Sequence, residues 1–296
     1  MSKLLHIGLG KCGSKFLQRE IFPKIAEKTK INYIPVSRNN FFEINTSKIK
    51  FHFFENYKNI EKLLPNDFIF SYEVLFSHGW EFSRIESSFN YIKNNFSNDT
   101  IILIVIRNPY NLLNSIYCQS IHHMKIVKPE NFFYIDDKET NIRVKDRFNL
   151  YNFNYSKLIS LYESYFKKVV VVKYEDLNKL DFLKKIFNLD NEFIEQLRTN
   201  KKYHNRSISK FGINFILFLN KYFNVEKSQT YIKKLIKPSN KLIDKIKNKI
   251  LSQFLLYNFF MYKFDKIVPY SKYFIKTKHI PLNLKEEIKK YENLKI

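Results

Sequence analysis

The sequence predicts an α/β fold: three layers, α/β/α, around a central parallel sheet, followed by a C-terminal helical extension. Three observations carry this expectation. Short, unbroken apolar runs rich in β-branched residues recur along the first two thirds of the chain, each followed by a stretch with helical spacing. Strands buried on both faces read this way, because crossover helices cover both sides of a parallel sheet. The first run opens into a turn holding three of the chain's five glycines, and beyond about residue 205 the strand-like runs stop.

The elements follow in order. Residues 3–7 (KLLHI) read as a buried strand, and the glycine turn leads into a helical pattern from Ser14 to Lys28 with Phe16, Leu17, Ile21 and Ile25 apolar. Residues 31–36 (INYIPV) are a second strand. The aromatic region 40–64 selects no element until NIEKLLPND, a short helix stopped at Pro65. Residues 67–73 (DFIFSYE) form a third strand, and a helix over 81–96 leads to DTIILIVIRNP (99–109), the most continuous apolar run. Pro109 stands where the next helix begins, a position at which its missing N–H costs nothing. Residues 130–144 read as a loop, 145–166 as a long helix and 167–177 (KKVVVVKYEDL) as another strand, with helices near 179–188 and 190–199. There is no internal repeat and no Gly/Ser linker, so the expectation is a core over 1–205 with a basic extension, 206–296, packed on it.

Composition narrows the class. A chain of 296 residues with 45% hydrophobic content can bury a sizeable core. Two cysteines, Cys12 and Cys118, build no disulfide framework, the N-terminal stretch lacks a signal-peptide pattern, and LSQFLLYNFFMY (251–262) is too short to span a bilayer. These features point to a cytoplasmic protein. The net charge is +23, but only eight of the 51 basic residues are arginine. A lysine excess of this kind reads as a solvated surface that attracts anions, so no nucleic-acid partner is expected. Residues 206–296 hold 20 basic and 6 acidic residues, net +14. That tail is suited to steering an anionic acceptor or to peripheral contact with an anionic membrane.

The chemistry concentrates in HIGLGKCGSK (6–15). A strand feeding a glycine turn into a helix start presents backbone N–H groups to an anion at the carboxyl edge of a parallel sheet. The plain alternative is a tight turn that needs small residues. Gly8 and Gly13 have the Walker A separation, but SK follows where KS or KT is required. The strand IILIVIR ends in Arg107 rather than an acid that would hold a metal. His122 and His123, being adjacent, fall on different faces of a helix, so no metal site is expected. The loop is thus P-loop NTPase-like in outline, and suited to phosphate without a metal. Arg107 is followed eight residues later by Ser115, two turns into the next helix. A guanidinium fork and a hydroxyl converging on one phosphate would be ordinary anion recognition.

These residues carry a resemblance. IGLGKCGSKFL resembles the 5′-phosphosulfate loop, K-x-G-[ST]-[ST]-x-L, of the sulfotransferases that use 3′-phosphoadenosine 5′-phosphosulfate (PAPS). VIRNPYNLLNSIY resembles their 3′-phosphate motif, R-[ND]-P with a serine eight residues after the arginine. VVVVKYEDL resembles the strand and turn that follow, so the three cover residues 4–178 in the family's order. The resemblance implies that backbone amides from Gly10 through Cys12, Gly13 and Ser14 to Lys15 cradle the phosphosulfate. It further implies that Lys11 neutralises the bridging oxygen, that Ser14 bonds the phosphate, and that Arg107 and Ser115 hold the 3′-phosphate. Lys15 departs from the pattern, which prefers a hydroxyl there. YHNRSIS (203–209) is similar to a basic loop that folds back over the nucleotide, with Arg206 the candidate and Lys210 behind it; a surface arginine is the plain alternative.

In-line transfer needs a base opposite the leaving nucleotide. The resemblance to carbohydrate-type members, with their Ser-x-Glu, selects Glu73 two residues after Ser71. His78 is the rival, because small-molecule members use histidine, and His122 comes third. The implied acceptor is a carbohydrate or glycolipid hydroxyl. Two other classes remain open: a P-loop kinase or nucleotidase, which would bind ATP with Mg²⁺, and a non-enzymatic basic module for nucleic acid or membrane, which would not need Arg107.

Overall fold

The computed structural model describes residues 3–35, 41–44, 47–50, 60–72, 75, 85–122, 127–134, 148–150, 153–199, 209–223, 274 and 282–294. Its centre is a parallel sheet built from β1 (Lys3–Ile7), β2 (Asn32–Pro35), β5 (Phe68–Tyr72), β6 (Ile101–Ile106) and β9 (Val169–Lys173), in the order β2-β5-β1-β6-β9. Every residue of β5 and all but the first of β6 are buried. Successive strand residues point to opposite faces, so both faces of the sheet are covered there. That is why these strands read as continuous apolar runs.

The chain leaves β1 for one side of the sheet and later crosses to the other, so the order reverses at β1. Its carboxyl end opens into the crevice where α/β sheets bind ligands. Register sharpens the geometry. Ile7, the last residue of β1, lies level with Tyr72 and with Ile104. β6 continues two residues further, so Arg107 stands three residues, about 10 Å, above the point where the glycine turn begins. Ile106 pairs with Lys173, which makes Arg107 and Tyr174 lateral neighbours just past the edge.

The helix after the glycine turn is not uniform. α1 (Ser14–Phe16) passes through a π-helical turn (Leu17–Ile21) into α2 (Phe22–Thr29). Pro23 explains the wide turn: it has no N–H to give, and its ring collides with the carbonyl four residues back. The Phe22 N–H reaches back to Leu17 O, and the next donor in the π pattern for Gln18 O would be Pro23, which has none. Tyr33 of β2 supplies it instead, its hydroxyl donating to Gln18 O at 3.0 Å.

The remaining elements refine the expectations. Region 40–64 contains a hairpin, β3 (Phe41–Ile44) with β4 (Ser47–Lys50), then α3 (Ile60–Leu63). α4 (Ile85–Asn95) and α5 (Pro109–His122) flank β6 as anticipated. The long helix expected over 145–166 is shorter. α6 (Pro129–Phe132) and β7 (Phe133–Tyr134) precede β8 (Phe148–Asn149), and the helix, α7, spans Tyr155–Glu163. Two causes shorten it. Phe132, Phe133 and Phe148 pack ring on ring, and Asn154 caps α7 by accepting the Lys157 N–H at 2.8 Å. After β9 come a 3₁₀ segment (Tyr174–Lys179), α8 (Asp181–Phe187), α9 (Asn191–Thr199), α10 (Lys210–Phe223) and α11 (Leu282–Asn293). α10 packs on α5, and α11 on α5 and α7. Among the described residues, no helix is long and apolar enough to cross a membrane.

Candidate functional site

The glycine loop leaves β1 as a compact turn, with the Cys12 N–H donating to Leu9 O at 3.2 Å. Lys11 sits at φ 68 and Gly13 at φ 85, with Cys12 between them at negative φ. Alternating signs of φ turn successive N–H groups inward and form an anion-binding concavity. Gly13 has a second reason to be glycine, since a Cβ there would lie 2.4 Å from Leu177 Cδ2 and 3.2 Å from the Tyr174 ring. Its smallness therefore serves protein packing, and the plain turn explanation accounts for this glycine. Gly13 O then accepts from the N–H groups of Phe16 and Leu17 to start the helix.

The side chains point more directly to a ligand. Ser14 is 2% exposed, and its Oγ has no hydrogen-bond partner. Arg107 bends over the loop, its Nη1 donating to Lys11 O at 3.1 Å. Its guanidinium carbon stands 4.5 Å from the centre of the Tyr174 ring. The Arg107 Nε is buried and has no partner. A buried hydroxyl and a buried guanidinium N–H without partners are costly in a closed core, and anionic oxygens of a ligand at this edge would satisfy them.

Behind Arg107 stands Tyr155, the first residue of α7. Its hydroxyl donates to Arg107 O at 2.8 Å and lies 3.4 Å from Arg107 N. Burial pushes this phenol well above its ordinary pKa, and the nearby Cys12 thiol adds to the effect. It stays a protonated donor throughout the working range.

Beside the loop, His6 of β1 is wholly buried, its Nδ1 2.7 Å from Ser71 Oγ. Gln18 Nε2 donates to the same Oγ at 3.1 Å and to Ser71 O at 3.3 Å. Burial lowers the His6 pKa to about 3. A serine beside a histidine resembles a nucleophile–base pair, but both residues are shut from solvent and Ser71 Oγ is already engaged by Gln18. The cluster fixes the ends of β1 and β5 where the chain emerges toward the site.

The anticipated residues thus divide. Gly10, Lys11, Cys12, Gly13, Ser14 and Arg107 come together at the carboxyl edge, with Cys12 fully buried as packing. Lys15 is exposed, and Ser115 lies half-buried on α5. Glu73, His78, Arg206 and His123 fall outside the described residues; Glu73 directly follows Tyr72, which pairs with Ile7. Lys210 is exposed at the start of α10. Sequence reasoning missed His6, Gln18, Tyr155 and Tyr174. Of these, Tyr174, inside KYEDL, and His6, the first residue of HIGLGKCGSK, stood in stretches already singled out. Among the described residues, no group of three or more His, Cys, Asp or Glu is placed to hold a metal ion. No protein-family model matches this chain, and no curated protein matches it at a significant level.

Proposed function

We propose that this chain is a sulfotransferase that moves a sulfuryl group from PAPS to a hydroxyl of a carbohydrate or glycolipid, on a three-layer α/β/α fold whose first strand–loop–helix unit is P-loop-like. The observation that carries this reading is the bond from Arg107 Nη1 to Lys11 O. It joins two anion-binding motifs ninety-six residues apart in the chain at one sheet edge. The unpartnered Ser14 Oγ and Arg107 Nε support the fit of a phosphorylated donor.

Within this reading the loop amides hold the phosphosulfate and Lys11 offsets charge developing on the bridging oxygen. Ser14 donates to a phosphate oxygen, Arg107 and Ser115 hold the 3′-phosphate, and Arg206 closes over the nucleotide. The acceptor oxygen attacks sulfur in line as the bond from sulfur to the bridging oxygen breaks. The acceptor's proton passes to Glu73, with His78 the rival base. The arginine at the end of β6 sets this site apart from a metal-dependent phosphoryl-transfer site, where an acid there would hold Mg²⁺.

The test is thermal stabilisation in EDTA by 3′-phosphoadenosine 5′-phosphate against ADP. At a hundred times its dissociation constant a ligand adds about 2.7 kcal/mol, roughly 5–10 °C for a chain of this size. Arg107→Ala should abolish the shift. An equal response to ADP, or a shift that needs Mg²⁺, would overturn the reading in favour of a kinase or nucleotidase.

A further inference from the structure

We infer that α11 braces the anion site: through Glu287 and Tyr291 it holds the two groups that set Arg107, which makes Tyr155 a positioning residue for that arginine. Arg107 is the first residue beyond β6, and one buried phenol clips both of its backbone polar groups. Tyr155 opens α7, so its own N–H is one of the helix's orphan donors. Glu287 of α11 accepts it, Oε2 lying 3.3 Å away across 132 residues of sequence. That carboxylate is 6% exposed and pairs with Lys290 Nζ at 2.8 Å. A buried acid at a helix start suits the helix dipole.

One turn on, Tyr291 sets its ring 6.2 Å from that of Tyr155 and donates its hydroxyl to Glu175. Glu175 adjoins Tyr174, on whose ring the Arg107 guanidinium rests. Lys173 closes the arrangement, its Nζ donating to Leu294 O at 2.9 Å. One helix therefore holds the backbone of Arg107 through Tyr155 and its side chain through the Tyr174 segment. The basic tail thus contributes an inward face of Glu287 and Tyr291. Docking of α11 and filling of the anion site are then coupled, each favouring the other.

The brace stands apart from the donor's identity; its effect on donor binding rests on the sulfotransferase reading. The experiment follows amide hydrogen exchange in the full chain for wild type, Tyr155→Phe, Glu287→Gln and Tyr291→Phe, first without ligand and then with 3′-phosphoadenosine 5′-phosphate. Losing one such bond shifts a local equilibrium by roughly tenfold. Exchange should rise by about that factor across 8–14 and 107–112 while β5 stays protected, and the nucleotide's dissociation constant should rise in step. In the wild type the nucleotide should slow exchange in 284–291. Faster exchange confined to 282–294, or spread evenly over the sheet, overturns the brace. Should Tyr155→Phe fail to fold, the other two variants decide. If wild type binds no nucleotide, the sulfotransferase reading falls alone, and the ligand-free comparison still judges the brace.

Discussion

Acid should destabilise this protein early, in the window between pH 7 and 5, and His6 should be the cause. Buried against the Phe22 ring and bonded to Ser71, it has a folded pKa of about 3, whereas an unfolded histidine titrates near 6.5. Between those values the unfolded chain binds a proton that the folded one refuses. The stabilisation is therefore complete above about pH 6.5 and is lost as pH falls toward 3, at about 1.4 kcal/mol per pH unit. At pH 5 the loss is about 2 kcal/mol, and a folded pKa anywhere below about 4 gives the same figure. The melting temperature should drop by roughly 4–8 °C.

Urea unfolding of wild type and His6→Asn at pH 7 and pH 5 makes the measurement. Asparagine places an amide where Nδ1 stands and can still meet Ser71, but it does not titrate. Repulsion among the many lysines acts on both proteins alike, and the carboxylates respond only at lower pH. Wild type should lose about 2 kcal/mol more than the variant over this interval. Equal losses would refute the assignment.

Three further outcomes follow from the same geometry. Gly13→Ala combines a left-handed φ with a Cβ 2.4 Å from Leu177, and should cost about 2–4 kcal/mol in urea unfolding; Leu177→Ala in that background should cost less than it does alone. Asn154→Ala removes the cap on Lys157 N and should cost about 1 kcal/mol, measured the same way. Lys11→Gly should relieve a side chain from φ 68, raising stability by about 1 kcal/mol. The same variant should bind 3′-phosphoadenosine 5′-phosphate more weakly in calorimetry, and undiminished affinity would count against a charge role for Lys11.

The sheet was legible because its strands are short runs with no polar face: FIFSY and IILIVI announce burial on both sides without help from context. Their order was not, since adjacency is decided by crossovers rather than by any strand's own residues. The helix expected over 145–166 failed for two reasons. Its apolar spacing runs on past Asn154, but Phe148 packs on Phe132 and Phe133, and the side-chain bond to Lys157 N fixes where helix begins. At the site, Gly13 and Arg107 were legible as types that loops and anions demand. Tyr155 and Glu287 were not, because a tyrosine in an aromatic-rich chain and a glutamate in a lysine-rich tail look ordinary until 132 residues of chain fold them together. His6 was hidden by its setting, a lone polar residue among Leu4, Leu5 and Ile7.

Two left-handed residues in one loop, filled in different ways, separate what folding needs from what binding needs. A chain with only five glycines places one at residue 13, where both φ and the Leu177 contact require it. At residue 11 the backbone is equally left-handed, and glycine would fit without strain. The position carries lysine, at a cost of about 1 kcal/mol or more. A packing role would not keep that cost, because Lys11 is only half-buried and its carbonyl, the part that bonds Arg107, is present in any residue. What glycine lacks is the ammonium group. The strain at Lys11 therefore makes its side chain, rather than its backbone, the part to test, and the Lys11→Gly calorimetry tests it.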